Sequence, residues 1–374
     1  MAGRRGHPLA SYQPFKAIFQ LSYLSLTIFY LPYYIAVSLI PSLRPHPTWT
    51  AKQTFMTRLV YCQLDAASRV GITENITLNP GNEGNRFQTV SPPSSDFYRG
   101  PFSSPTIKPM TCGGTWSPCV PNNNELASSS MVALYVHGGA FIAGDGRDAM
   151  FGSIANRLLK KSGLDFVFSV QYRLSGHGGQ NPFPAAAQDV LAAYLFLLDA
   201  LGVPASHIVV IGDSSGGNLI QALLRYLSEH GAEAGAVPIP WPRAAVLLSP
   251  WVAPFEYKLA DRPNFQTDFV PASFGAWGSH CYGGDHGVSD PYVTPLGHPL
   301  ALPLPIFVNI GERELTREFM ERWVEEMRGV EGNDVQLNLE LGAVHDTFFL
   351  GPMLGFGESA DEVAVKIGRF LRNI

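Results

Sequence analysis

Ser214 stands in the frame Gly212-Asp213-Ser214-Ser215-Gly216, after the apolar run Ile208-Val209-Val210-Ile211 and before a helical pattern. A serine hydroxyl is presented as a nucleophile at the tip of a sharp strand-to-helix turn, and glycines two residues to either side are needed because a Cβ there would strike neighbouring backbone. Ser215 does not fit that frame, since position 213 is Asp. A helix opening directly after the serine aims free N–H groups and a positive dipole end at a developing oxyanion. The same frame also describes an ordinary glycine-rich turn after a buried strand, so the rest of the chain has to decide.

Three further strand-like runs end in residues that an activated serine needs. Met131 to Val136 leads into His137-Gly138-Gly139-Ala140-Phe141, where two glycines let backbone N–H groups approach a ligand. Leu304 to Ile310 leads into Gly311-Glu312-Arg313-Glu314-Leu315 and supplies carboxylates; Val335 to Leu341, apolar at alternate positions, leads into Gly342-Ala343-Val344-His345-Asp346 and supplies an imidazole. The order serine, acid, histidine after three separate strands suits a catalytic triad on an α/β sheet. Glu312, Glu314 and Asp346 all compete for the acid.

With these segments in order, the chain resembles the hormone-sensitive-lipase-like branch of the α/β-hydrolases, and most its fungal esterase and deacetylase members, which include membrane-associated steryl acetyl hydrolases and enzymes of biosynthetic pathways. The motifs that carry the resemblance are His137-Gly138-Gly139, Tyr172-Arg173-Leu174, Phe183-Pro184-Ala185-Ala186 with Asp189, the Gly212 to Asn218 elbow, Asp290-Pro291-Tyr292, Gly311 to Glu314, and His345. The resemblance implies a mostly parallel central sheet flanked by helices, with a cap over the site. It also implies Ser214 as nucleophile, His345 as general base, Glu314 as the acid, and oxyanion donors on the backbone of Gly138, Gly139 and Ser215. Two positions depart from the commoner pattern: Ala140 replaces a third glycine, and Glu314 replaces an aspartate. Neither removes a needed group, because Ala keeps its N–H and Glu can orient an imidazole.

The reaction implied is two-step acyl transfer on an apolar ester, with no cofactor and no metal. Two rivals stand beside it: a condensation or cyclisation in which the histidine abstracts a proton α to a carbonyl, and a ligand-binding receptor, which the intact Ser214, Glu314 and His345 disfavour. His137 reads as a support of the glycine turn, Arg173 and Asp189 as a polar network beneath the site, and Asp213 as a local backbone partner.

With 374 residues, 46% hydrophobic and 15% charged, the chain can bury one α/β core and a cap. A net charge of -5 without basic clusters gives nucleic acid no electrostatic footing. Neither a Walker-type phosphate loop nor a His-Glu-x-x-His metal motif is present.

After a polar tail, 1–16, residues 17–40 run without a charge, framed by Arg4, Arg5 and Lys16 before and Arg44 after, long enough to cross a bilayer. Five aromatic residues, Tyr23, Phe29, Tyr30, Tyr33 and Tyr34, crowd this stretch, and Pro32 is expected to kink or divide it. A membrane helix, single-pass or monotopic and in the endoplasmic reticulum, is the leading expectation. A cap helix and a cleaved signal ending near Ala36-Val37-Ser38 are the others. Asn75-Ile76-Thr77 is a glycosylation sequon usable in a lumen, and Cys112 with Cys119 could close a small loop there.

Residues 41–130 read as a cap helix, leading strands and an irregular loop, and 131–374 as the catalytic core with a cap insertion at about 251–300. Thr48 to Arg69 has helical spacing of apolar residues and stops at Gly71; Pro80 to Ser130 reads as a surface excursion, and the leading strands are expected between 72 and 110. Trp251, Phe255, Tyr257, Phe265, Phe269, Phe274, Trp277 and Tyr282 suggest a cap holding a bulky apolar group.

Overall fold

The structure is a computed structural model that describes residues 6–374 except 123–124, 126–129, 233–236, 257–258, 260, 285 and 288. Arg4, Arg5 and Tyr257, and most of the Pro121 to Ser130 stretch, lie outside the described residues.

The strands are β1 (Phe87–Val90), β2 (Cys112–Ser117), β3 (Val132–Val136), β4 (Phe166–Gln171), β5 (Ile208–Asp213), β6 (Ala244–Leu248), β7 (Ile306–Gly311) and β8 (Val335–Glu340). They form one sheet in the order β1-β2-β4-β3-β5-β6-β7-β8; β1 with β2 and β2 with β4 pair antiparallel, and every later pair is parallel. The helices are α1 (Phe15–Leu39), α2 (Ala51–Val70), α3 (Asp148–Lys161), α4 (Ala185–Leu195), α5 (Ser215–His230), α6 (Ala272–Gly283), α7 (Arg317–Arg328), α8 (Thr347–Leu354) and α9 (Gly357–Arg372).

The continuous apolar runs of the parallel strands follow from burial on both faces. Val132, Leu134 and Val136 of β3 and Ile208 and Val210 of β5 join the core beneath α4, α5 and α7. Their alternates, Ala133, Tyr135, Val209 and Ile211, join the core beneath α3 and α9. Loops leaving the carboxyl ends of β3, β5, β7 and β8 therefore gather at one edge of the sheet, where open α/β sheets bind ligands.

Three expectations change. Only β1 lies within 72–110, and β2 lies beyond it, inside the supposed surface excursion. Its sequence, Cys-Gly-Gly-Thr-Trp-Ser, hides a strand because glycine replaces the β-formers. A Cβ at Gly113 would sit 2.4 Å from the Phe87 ring and one at Gly114 2.3 Å from the Phe168 ring, so aromatic side chains fill the space the glycines leave. Pro32 does not divide α1, which continues through it as one helix; the proline removes a single ladder bond, and the turns on either side continue. Cys112 is buried in β2, where its thiol meets the Asp189 carbonyl at 3.7 Å, while Cys119 is exposed; both are free thiols.

Arg173 and Asp189 form the expected network. Asp189 is fully buried and takes Arg173 Nε and Nη2 at 2.8–3.0 Å and the Arg173 backbone N–H at 2.8 Å. The guanidinium continues to the carbonyls of Lys108 and Ala185, tying the loop before β2 to the start of α4. Replacing one partner leaves the other charge buried and unpaired, so Asp189→Ala is expected to cost about 3–5 kcal/mol, read as a lower denaturant midpoint at unchanged slope.

Candidate active site

Ser214 is held at φ 49° and ψ −116°, between the end of β5 and the first residue of α5. The flanking glycines are dictated by contact. A Cβ at Gly212 would lie 2.5 Å from the Gly216 carbonyl oxygen, and one at Gly216 would lie 2.0 Å from the Val136 carbonyl oxygen at the end of β3. The elbow is thus pressed against the strand that carries the His137-Gly138-Gly139 loop. Asn218, one turn into α5, donates to the carbonyls of Trp251 at 2.8 Å and Val293 at 2.9 Å, fixing the helix to the segment after β6.

Ser214 Oγ lies 2.9 Å from His345 Nε2, and His345 Nδ1 lies 2.8 Å from Glu314 Oε2. Glu314 is fully buried; its other oxygen accepts the Ser249 hydroxyl at 2.6 Å and the Gly311 N–H. The competing acids are occupied elsewhere. Glu312 accepts the Gly342 N–H at 2.8 Å, which leads the causes holding its carboxyl below the usual range, and Asp346 caps α8 through the Phe349 N–H. Burial opposes charge on His345, but the hydrogen bond and charge of Glu314, with the carboxylates of Asp268 and Asp213, outweigh it and raise the imidazole above its ordinary value.

The glycine loop requires one correction. The Gly138 N–H, expected to face an oxyanion, donates to Asp213 Oδ2 at 2.9 Å. The reason is local: a Cβ at 138 would fall 2.4 Å from that oxygen, so the glycine exists to let the Asp213 carboxylate close in. Gly139 at φ 99° and Ala140 at φ 53° follow, and both line the cavity above Ser214. Their N–H groups and that of Ser215 donate to no acceptor among the described residues. His137 stays beneath the loop, stacked between Phe151 and Tyr172 at 4.8 and 4.2 Å, with Nδ1 2.8 Å from the Gly138 carbonyl. Burial pushes its pKa down to about 4, so the ring is neutral.

Two positioning groups escaped the sequence reading. Ser249, at φ 46° just past β6, donates to Glu314 and accepts the Asp346 N–H at 3.0 Å, bridging the acid loop to the histidine loop. Asp268, in the segment before α6, accepts the N–H groups of His345 at 3.1 Å and Phe269 at 2.8 Å through Oδ1 and that of Leu315 at 2.8 Å through Oδ2. Burial, against the pull of His345, pushes its carboxyl up to about 6. The visible signal for Ser249 was a polar residue at the carboxyl end of a core strand; Asp268 had none, since it lies in an irregular aromatic segment.

Asp213 and Asp346 form a buried pair. Asp213 takes the Tyr135 hydroxyl as well as the Gly138 N–H; burial raises its carboxyl, and burial with the neighbouring Asp213 charge holds Asp346 well above the carboxylate range.

Above Ser214 lies an apolar cavity of about 160 Å³, walled by Trp251, Phe269, Phe274 and Leu350 and, from α2, by Leu64. Asn75 is exposed on the segment after α2 and does not line it. Among the described residues, no group of three or more His, Cys, Asp or Glu side chains is gathered to hold a metal ion.

Comparison with known proteins agrees with this arrangement. A family model described as the alpha/beta hydrolase fold matches residues 133–349. An acetyl-hydrolase of Streptomyces hygroscopicus is 36% identical over 118 residues, 32% of this chain and 35% of that protein. An esterase of Acinetobacter venetianus is 27% identical over 219 residues, 58% of this chain and 66% of that protein. The chain thus spans between about a third and two thirds of the length of these curated relatives. Among solved structures, a hormone-sensitive lipase from a metagenome library aligns with a TM-score of 0.58 at 25% identity, over 70% of this chain and 82% of that one. An esterase of Pyrobaculum calidifontis shares the fold at a TM-score of 0.61 and 20% identity, over 85% of this chain and 92% of that one. With its sheet order, its elbow and a family match over more than half its length, this chain belongs to the α/β-hydrolase fold family, in the hormone-sensitive-lipase-like branch.

Proposed function

We propose that this protein is a serine esterase that removes a short acyl group, acetyl in size, from a bulkier apolar alcohol such as a sterol, at a membrane surface. The observation that carries the reading is the unbroken line Ser214 Oγ, His345 Nε2, His345 Nδ1, Glu314 Oε2 at the floor of an apolar cavity. The size argument comes from that cavity: about 160 Å³ accommodates a benzene-sized group, so a short acyl chain fits inside and a bulky alcohol extends past the mouth. The names of two relatives, the acetyl-hydrolase above and an ethyl acetate hydrolase of Pseudomonas putida, support the same acyl size. The membrane reading extends to the endoplasmic reticulum, with the exposed Asn75 glycosylated when the catalytic domain faces the lumen.

In this mechanism His345 Nε2 takes the Ser214 proton as Oγ attacks the ester carbonyl. The N–H groups of Gly139, Ala140 and Ser215 receive the oxyanion, with Ala140 taking the part expected of Gly138. Glu314 keeps the Nδ1 proton in place and balances the imidazolium. The alkoxide leaves with the proton from Nε2, and water, deprotonated by the same nitrogen, releases the acid and frees Ser214.

A fluorophosphonate is expected to add one phosphonyl group to the wild-type mass and none to Ser214→Ala, whose turnover of aryl acetate falls by about a million-fold. On aryl esters, kcat/KM is expected to drop at least about tenfold once the acyl chain exceeds about six carbons, the length that fills the cavity. Labelling without hydrolysis of any ester would sink the esterase reading, and no labelling of folded wild type would sink Ser214 as nucleophile.

The base works only when neutral, so the acid limb of the kcat/KM profile is expected above the ordinary imidazole pKa, with activity lost as pH falls through it. Glu314→Gln removes the group that raises it, moving the limb to lower pH and reducing kcat by about 10⁴-fold. Asp268→Asn leaves the triad intact but removes one carboxylate charge and one of the loop clamps. Its expected signature is a roughly tenfold lower kcat at near-constant KM with a smaller downward shift of the same limb; an unchanged profile would reduce Asp268 to a structural link.

A further inference from the structure

α1 is turned inside out for a helix on the surface of a water-soluble domain. The stripe against the protein carries the hydroxyls of Tyr23, Thr27, Tyr34 and Ser38 among Phe19, Leu31 and Val37, while the outward side, with Gln20, Ser22 and Ser25 as its polar residues, carries Ile18, Leu21, Leu24, Ile28, Phe29 and Ile35, Phe29 being 75% exposed. A helix that faces its polar stripe to the protein and its apolar side outward is matched to an apolar medium.

At about 1.5 Å per residue, its 25 residues reach about 37 Å, enough to cross a hydrocarbon core of about 30 Å. Its attachments forbid that orientation. Before the helix, the Ser11 hydroxyl donates to the Val70 carbonyl at the end of α2, and the His7 ring lies 5.6 Å from that of His177. After the helix, Arg44 donates to the Trp49 carbonyl at 2.7 Å, and Trp49 Nε1 donates to the Gly342 carbonyl at 2.6 Å, three residues before His345. In between, the Tyr23 hydroxyl donates to Asp65 Oδ2 at 2.9 Å, and Arg58 of α2 lies over the Tyr34 ring at 5.2 Å. Both ends and the middle are thus bonded to one folded body. A crossing would tear one end away or carry Arg58, Asp65 and Arg69 to bilayer depth, at about 2.5–3.5 kcal/mol for each.

We propose that α1 lies in the plane of a bilayer, sunk into one leaflet by its outward face, so that the catalytic domain rests on the membrane with both ends of the helix on the same side. This rests on the membrane association proposed above and replaces a span by a monotopic seat. A bilayer suits this face better than a second copy of the chain. Lys16 stands at its start, and the exposed rings of Tyr12, Tyr30 and Tyr33 have the amphipathic character of interfacial anchors. The seat is close to the chemistry. Asp65, which holds Tyr23, also accepts the hydroxyl of Ser273 at 2.7 Å, on the helix α6 that walls the cavity, and Leu64 lines the cavity directly. An apolar ester dissolved in the leaflet would have little water to cross.

The full chain, tagged at both termini, would be bound to phosphatidylcholine vesicles and inserted into sealed microsomes, then treated with protease from outside. The expected result is sedimentation with the vesicles and equal fates for the two tags, both cut or both protected. One tag cut and the other protected means a span and overturns the proposal. Failure to sediment overturns it together with the membrane reading, while turnover of a soluble aryl acetate by the same sample keeps the esterase assignment separate. Leu24→Asp combined with Ile28→Asp is expected to lower the vesicle-bound fraction at least about tenfold and leave that turnover within about twofold. A wild-type dimer that ignores vesicles and dissociates in this variant would assign the face to a second copy and overturn the proposal.

Discussion

The site depends on one close approach, the backbone of Gly216 against the Val136 carbonyl. A Cβ at 216 would come within 2.0 Å of that oxygen, so the first turn of α5 and the end of β3 can touch only because the side chain is missing. That contact sets Ser214 beside the loop from His137 to Phe141, whose Gly139 and Ala140 line the cavity with it. It also explains why Ser214 is held at positive φ: the chain must reverse from strand to helix within one residue, with the hydroxyl at the tip. The parallel pairing of β3 with β5 supplies the framework, and the glycine removes the last obstacle.

Around this contact the protein places an unusual number of buried carboxyls, and their different partners keep them in different roles. Glu314 faces an imidazole and two donors. Asp213 receives a tyrosine hydroxyl and the Gly138 N–H, which oppose the upward push of burial, while burial and the Asp213 charge hold Asp346 beside it well above the carboxylate range. Asp268 balances burial against three backbone N–H groups and the nearby imidazole, which is why its carboxyl titrates at about 6. Only Glu314 reaches Nδ1 of His345. The other carboxyls hold backbone: Asp213 the glycine loop, Asp346 the start of α8, Asp268 the loops of both His345 and Leu315.

What could be read from the sequence was whatever depends on local pattern. Apolar runs ending in glycine, serine, acid or histidine marked β3, β5, β7 and β8 because strands buried on both faces have no alternation to obscure them. β2 was illegible because its glycines answer to aromatic rings contributed by β1 and β4, far away in sequence. The Gly138 N–H was misread for a similar reason. A pair of glycines shows that backbone must approach something, but only the position of Asp213 shows that Gly138 approaches a carboxylate and leaves Gly139 and Ala140 to face the cavity. Ser249 and Asp268 act through backbone N–H groups of other loops, a function with no composition to announce it.

The cap follows from the same economy of contact. Its aromatic residues wall a cavity that is small relative to their number, so much of that area packs against itself. The cap is also not one insertion: α2, far upstream, supplies Leu64 to the cavity and Ser68 to Ser273 of α6 at 2.9 Å. The two segments of this wall are held by their contacts with each other, Ser68 and Asp65 of α2 on Ser273 of α6, while Asp268, ahead of α6, accepts the His345 N–H. The helix that lies along the outer side of α2 is α1. α1 is thus joined to the cavity wall through α2, whose Asp65 carboxylate accepts both the Tyr23 hydroxyl of α1 and the Ser273 hydroxyl of α6.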